Sequence, residues 1–194
     1  METVKIIRDV KVIKTLADPV RREILRITAV EPLTETQLAE KLSLTKPSIA
    51  HHLAILREAG LIRVKYTKLN SYGILEKYYE PTARLFIEDW RSIPAELQKY
   101  FSHGCMERLR GMLSVLQLFM EKSGKKLEIN SKQTKELADG IAQRMPVISE
   151  KYAKSEEKED AERLLIKIYS ETLKDVMKQS SWKKVFKNVQ ETVV

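Results

Sequence analysis

The chain has 194 residues, 43% of them hydrophobic and 32% charged, with a formal net charge of +8 and a pI near 9.4. One or two globular domains are expected, and the basic balance fits a polyanionic partner. The apolar runs fall well short of the ~20 residues a membrane span needs. METVKIIRDVKVIK lacks the apolar core and small-residue cleavage site of a secretory signal. Cys105 is the single cysteine, which excludes an intrachain disulfide and a multi-cysteine metal site and favours the cytoplasm.

In chain order, KIIRDVKVIKTLA (5–17) reads as a first helix with Ile6, Val10, Ile13 and Leu16 or Ala17 inward. Asp18 caps a second helix that has Pro19 at its first position and Val20, Ile24 and Leu25 or Ile27 inward. Thr34 and Gln37 have capping-box spacing at the head of TETQLAEKL. Thr45 caps the next helix, Pro47 sits in its first turn, and Gly60 follows its end near Ala59. Two extended runs, LIRVKY and YGILEKYY, are joined by the polar TKLNS, with Asn70 for a turn.

From Pro81 onward the pattern reads as helical. It predicts a helix over 81–91, a long amphipathic helix over Ala95–Lys122 broken at His103-Gly104, and a helix from Ser131 kinked or divided at Pro146. A further helix runs over Glu156–Gln179 with the acids of SEEKED at its start, and a last apolar piece holds Trp182, Val185, Phe186 and Val189.

The helix Thr45–Ala59 carries the functional argument. At ~100° per residue, Ile49, Leu53 and Leu56 form a core stripe, while Pro47, His51 and Ala54 face away. His51 and His52 diverge by ~100°, whereas helical metal ligands are spaced i, i+3 or i, i+4. No metal and no cofactor is expected here. The outward N-terminal end is Thr45, Lys46, Pro47, Ser48, Ala50 and His51. It combines a cation, hydroxyls and an imidazole with little bulk, which suits a helix whose N-terminal residues approach base edges in a major groove. Residues 45–68 hold five basic residues, Lys46, Arg57, Arg63, Lys65 and Lys68, against the single acid Glu58. The hairpin therefore reads as a basic wing, with Arg63, Lys65, Lys68 and Asn70 placed to meet phosphates or a minor groove.

Three segments resemble the ArsR-like, arsenic-repressor-type winged-helix regulators of prokaryotes: TLADPVRREILRI, LTKPSIAHHLAILREAGLI, and the hairpin leading into LEKYYEPTA. The last, and the long helical C-terminal region, look most like archaeal members. The resemblance covers about the first 85 residues. It implies a homodimer on a near-palindromic operator, with DNA-reading positions at Lys46, Ser48, Ala50 and His51 and wing contacts around Lys65 to Asn70. Metal-sensing members carry paired cysteines in the helix before the recognition helix. TETQLAEKL has none, so arsenic or cadmium sensing is not implied.

Several residues keep two readings. His52 reads as a hydrogen-bonding residue at the core edge or a DNA contact, and Arg21-Arg22 as salt bridges or DNA contacts. His103, Cys105 and Glu107 read as structural, with a metal or redox site as the rival. Tyr78, Tyr79, Phe86 and Trp90 read as core packing, with an aromatic effector pocket as the rival. The expected fold is mainly α. A winged helix-turn-helix DNA-binding domain (three to four helices plus a β-hairpin) spans 1–80, and an all-helical dimerisation or effector domain spans 81–194. The expected function is a non-enzymatic, homodimeric transcriptional repressor that binds double-stranded DNA in the cytoplasm; the existence and identity of a small-molecule effector are left open. The rival reading is a winged-helix protein- or RNA-interaction module.

Overall fold

The computed structural model describes residues 1–122, 124–153, 160–179 and 182. The chain divides into two compact units, residues 1–88 with 152–161, and residues 89–151 with 162–194.

The first unit opens with strand β1 (Glu2–Ile7), followed by helix α1 (Val10–Leu16), α2 (Pro19–Val30), α3 (Glu35–Leu42) and α4 (Lys46–Glu58). Strands β2 (Ile62–Leu69), β3 (Leu75–Pro81) and β4 (Ala83–Glu88) follow. Side chains set the helix starts. Asp9, Asp18 and Thr34 accept from the backbone N–H groups of Lys11, Arg21 and Gln37, and Gln37 answers Thr34 in a complete capping box. Between α3 and α4 the chain turns through Ser43, whose φ of 53° lies in the left-handed region.

Two expectations fail here for one reason. The 5–17 segment is not a single helix, and 81–91 is not a helix. Instead β1 and β4 pair in parallel, from Glu2 opposite Ala83 to Ile7 opposite Glu88. The β-branched residues Val4, Ile6 and Ile7 suit a strand, and Val4, Ile7, Ala83 and Ile87 are buried by the pairing. The helical spacing within 5–17 survives only from Val10, after the Asp9 cap. The hairpin turn also lies later than TKLNS suggests. Thr67–Leu69 belongs to β2, and the chain reverses over Asn70–Ile74.

The core of this unit gathers Ile13, Leu16, Ile24, Leu38, Ile49, Leu53, Leu56 and Leu61, each at most 1% exposed. Burying each such side chain contributes about 1.5–3 kcal/mol before conformational entropy is charged against it. Leu33 bridges to Tyr79 through two backbone hydrogen bonds of 3.3 and 2.9 Å, tying the α2–α3 loop to β3.

The second unit holds a short 3-10 turn (Trp90–Ser92), α5 (Ala95–Lys122) and, apart from residues 152, 153 and 161, α6 (Ser131–Ala153) and α7 (Ala161–Met177). The helix α5 is unbroken at His103-Gly104, because Ser102 and Leu109 are buried on either side and that packing outweighs the ~1 kcal/mol a helical glycine costs. Nor does Pro146 divide α6. Ile141, Met145 and Ser149 stay buried around it. Gly140 lies where a Cβ would come 3.6 Å from Val176, so α6 and α7 pack closely there. Ser102 donates to Asp139 at 2.8 Å, joining α5 to α6. Residues 156–159 of the expected Glu156–Gln179 helix, and Val185, Phe186 and Val189, lie outside the described residues. Trp182 is buried.

Candidate nucleic-acid interface

Helix α4 is held by one face and open on the other. Ile49, Leu53 and Leu56 are fully buried, whereas Lys46, Pro47, His51 and Ala54 are exposed, with Ser48 and Ala50 half-buried beside them. Thr45 serves the helix itself, its Oγ1 accepting from the Ser48 N–H at 3.3 Å. That leaves Lys46, Ser48, Ala50 and His51 as a low-relief surface around the helix N-terminus, where unsatisfied N–H groups favour an anion. His51 and His52 point apart, their ring centroids 5.9 Å from each other and their planes 59° inclined. His52 is half-buried, and its Nδ1 finds no partner. Arg57 is exposed in the last turn of α4, roughly 16 Å along the axis from Lys46 at 1.5 Å per residue.

The hairpin differs from a simple row of cations. Arg63 and Glu80 oppose each other in the β2–β3 register. The Glu80 carboxylate takes Arg63 Nη2 at 2.8 Å on one oxygen and Lys65 Nζ at 3.1 Å on the other. Burial pushes the Glu80 carboxyl up, but the hydrogen bonds from Arg63 and then Lys65 outweigh it and hold the group below the usual carboxylate range. Asn70 builds the turn. Its Oδ1 accepts from the N–H groups of Tyr72 and Ile74, both at 3.0 Å, and Gly73 supplies a φ of +73°. Lys68 is exposed and stands opposite Glu76.

Of the sequence-predicted set, Lys46, Pro47, His51, Arg57 and Lys68 are open to solvent, Arg63 and Lys65 are engaged by Glu80, and Thr45 and Asn70 hold local backbone. Sequence reasoning missed Glu80, which becomes visible as a partner only once the turn is centred on Asn70–Ile74. It also missed the apolar hairpin tip. Leu69 is 62% exposed, Tyr72 86%, Ile74 62% and Leu75 58%. Tyr66 and Tyr78 stack at 4.6 Å on the stem below.

Several other candidate groups make contacts within the fold. Arg21 Nε donates to the Thr15 carbonyl at 2.6 Å and Arg22 pairs with Glu88. Glu107 pairs with Arg110. Burial pushes the Cys105 thiol up, with Arg108 opposing. Tyr79 is buried.

A capped helix, a turn through left-handed Ser43, a second helix with a bare polar N-terminus and a following hairpin form the geometry of a winged helix-turn-helix. Residues 16–65 match the family model described as "Helix-turn-helix domain". The first unit contains a helix-turn-helix domain. Over 51 residues the chain is 43% identical to the transcriptional repressor SdpR of Bacillus subtilis (strain 168), covering 26% of this chain and 57% of that protein. The chain thus spans little more than half the length of that relative. Among solved structures, reduced HlyU from Vibrio cholerae N16961 aligns at 22% identity over 47% of this chain and 78% of that one, with a TM-score of 0.31. No helix among the described residues is long and apolar enough to cross a membrane.

Proposed function

We propose that this protein is a sequence-specific, double-stranded DNA-binding transcriptional regulator that acts in the cytoplasm as a homodimeric repressor. The observation that carries the reading is the bare N-terminal surface of α4. Lys46, Ser48, Ala50 and His51 stand clear of the core that Ile49, Leu53 and Leu56 fix, so polar tips reach base edges and small side chains admit the backbone. Positive charge concentrates in the same stretch of chain, and phosphate contacts supply affinity that does not depend on sequence.

One reading head makes few base contacts. Two heads related by a two-fold axis read an inverted repeat. The helical region from Ala95 supplies the dimer surface, and α5 exposes a suitable one in Met112, Val115, Leu118 and Phe119. Occupying a promoter then excludes the transcription machinery. A signal acts only by favouring one of two head spacings.

Selection of bound duplexes from a random pool at near-physiological salt tests this. An enriched inverted repeat with half-sites ~10 bp apart is expected. No enrichment, with binding that vanishes as salt rises, would sink the reading in favour of a protein- or RNA-interaction module.

A further inference from the structure

The hairpin presents an unusual tip. Leu69, Tyr72, Ile74 and Leu75 are all more than half exposed and adjacent. Nothing about the turn is loose. Asn70 accepts two backbone N–H groups at 3.0 Å, the Asn70 N–H donates to the Ile74 carbonyl at 2.9 Å, and the Gly73 N–H donates to the Asn70 carbonyl at 3.0 Å. The Tyr66–Tyr78 stack stiffens the stem. Four large apolar side chains held in water on a locked turn are not filling a core.

Charge indicates what covers them. Residues 62–80 carry Arg63, Lys65, Lys68 and Lys77 against Glu76 and Glu80. Both acids are occupied inside the hairpin. Glu80 holds Arg63 and Lys65, while Glu76 accepts from Asn70 Nδ2 at 3.4 Å and faces Lys68 across the strands. Lys68 and Lys77 are exposed, and neither is ion-paired among the described residues. In the register, Lys77 falls on the same face as Leu69 and Leu75, and Lys68 on the opposite face. The tip is thus an apolar wedge with an uncommitted cation on each side. A polyanion with an apolar interior reached through a narrow cleft matches that pattern, and the minor groove of duplex DNA is such a cleft.

We propose that Leu69, Tyr72, Ile74 and Leu75 form an apolar wedge that enters the minor groove beside each half-site and partly unstacks one base step, with Lys68 and Lys77 on the flanking phosphates. This rests on the DNA-binding reading above. The wing then contributes specificity through the ease of deforming the flanking step. Pyrimidine–purine steps, which kink most readily, are favoured there. Such readout is distinct from the hydrogen-bond reading assigned to α4.

The test uses the full chain and the duplex recovered by selection, with 2-aminopurine placed in turn at each flanking step and a fluorophore pair at the duplex ends. Wild-type binding is expected to raise 2-aminopurine emission at one step per flank and to shorten the end-to-end distance. Tyr72→Ser/Ile74→Ser should lose both signals, bind roughly tenfold more weakly, and keep the wild-type salt slope because no cation is removed. If circular dichroism shows that variant misfolded, Leu69→Ser/Leu75→Ser takes its place. Unchanged emission and bend in a folded variant would overturn the wedge. So would a variant that changes the sedimentation of the free protein while bending DNA normally, since the tip would then be a contact between copies. Binding that is sensitive to His51→Ala but produces no unstacking removes the wedge alone. If the wild type selects no duplex, both the function and the wedge fail.

Discussion

Glu80 stands directly opposite Arg63 across the β2–β3 hairpin and receives its Nε and Nη2 on one carboxylate oxygen, at 3.1 and 2.8 Å. Its other oxygen takes Lys65 at 3.1 Å. Two cations that a linear reading assigns to DNA are therefore partly neutralised within the fold, and the hairpin's stability is linked to a carboxylate.

That link has a sign. The Glu80 carboxyl is held below its ordinary value of 4.5 by Arg63 and Lys65 against the opposing effect of burial. A carboxyl with a lowered folded-state value stabilises the fold above the unfolded value and loses that contribution as pH falls through the folded one. Thermal melts should therefore show wild type losing stability below about pH 4.5, with Glu80→Gln losing less over the same range. At neutral pH, Glu80→Gln should cost about 1–2 kcal/mol, since Arg63 and Lys65 are half in water and keep part of their solvation. The same variant frees both cations. Its DNA affinity should fall more steeply with salt, by up to about two additional phosphates' worth of slope. An unchanged slope would mean that neither cation comes near a phosphate.

Reading and clamping separate in a second comparison. His51→Ala and Ser48→Ala remove groups from the open end of α4. They should weaken the selected site by ~1–3 kcal/mol and relax sequence choice, with little change on random DNA. Lys68→Ala should weaken all duplexes about equally and lower the salt slope by about one. Titration of each variant against specific and scrambled duplexes checks both. If His51→Ala left sequence preference intact, the reading face of α4 would be misplaced.

How much was legible in the sequence depends on whether a feature is local. The Asp18, Thr34 and Thr45 caps, the Pro19 and Pro47 starts and the Ile49, Leu53, Leu56 stripe are written in residues three or four apart. The open end of α4 follows from them. The parallel pairing of β1 with β4 joins residues about eighty positions apart, and no periodicity within 5–17 or 81–91 encodes it. Ile6, Val10 and Ile13 mimic a helical face across a strand-to-helix junction. In the hairpin a turn placed a few residues early hid the Arg63–Glu80 pairing, because cross-strand partners depend on register. It also concealed that Tyr72, Ile74 and Leu75 crown the turn.

Cys105 offers a check on the helical unit that is independent of DNA. Burial raises its thiol, Asp139 adds to this, and Arg108 opposes. A raised thiol has less reactive thiolate at a given pH. In the native protein, alkylation at pH 8 should run well below the rate of a free cysteine peptide and recover that rate in denaturant. Reaction at the free-peptide rate in the native state would mean that this part of α5 opens readily.

The exposed apolar stripe of α5 bears on the proposed homodimer. On α5, Met112, Val115, Leu118 and Phe119 are 46%, 54%, 62% and 59% exposed, while Leu109 and Met120 of the same helix are buried. A helix with one apolar face in the core and a second in water has a surface left to cover. Gly111 lies beside Met112 and Val115, with open space where its Cβ would be, so a second helix has room to approach closely. In a homodimer joined through this stripe, Val115→Glu/Leu118→Glu buries two unpaired carboxylates from each protomer at the seam and should give a folded monomer. Sedimentation velocity reads the mass, and circular dichroism confirms the helix content. Because operator binding by two heads depends on their linkage, the monomer should also lose most of its affinity for the inverted repeat while keeping weak binding to one half-site. If the variant sediments as wild type, α5 is not the seam of the proposed homodimer.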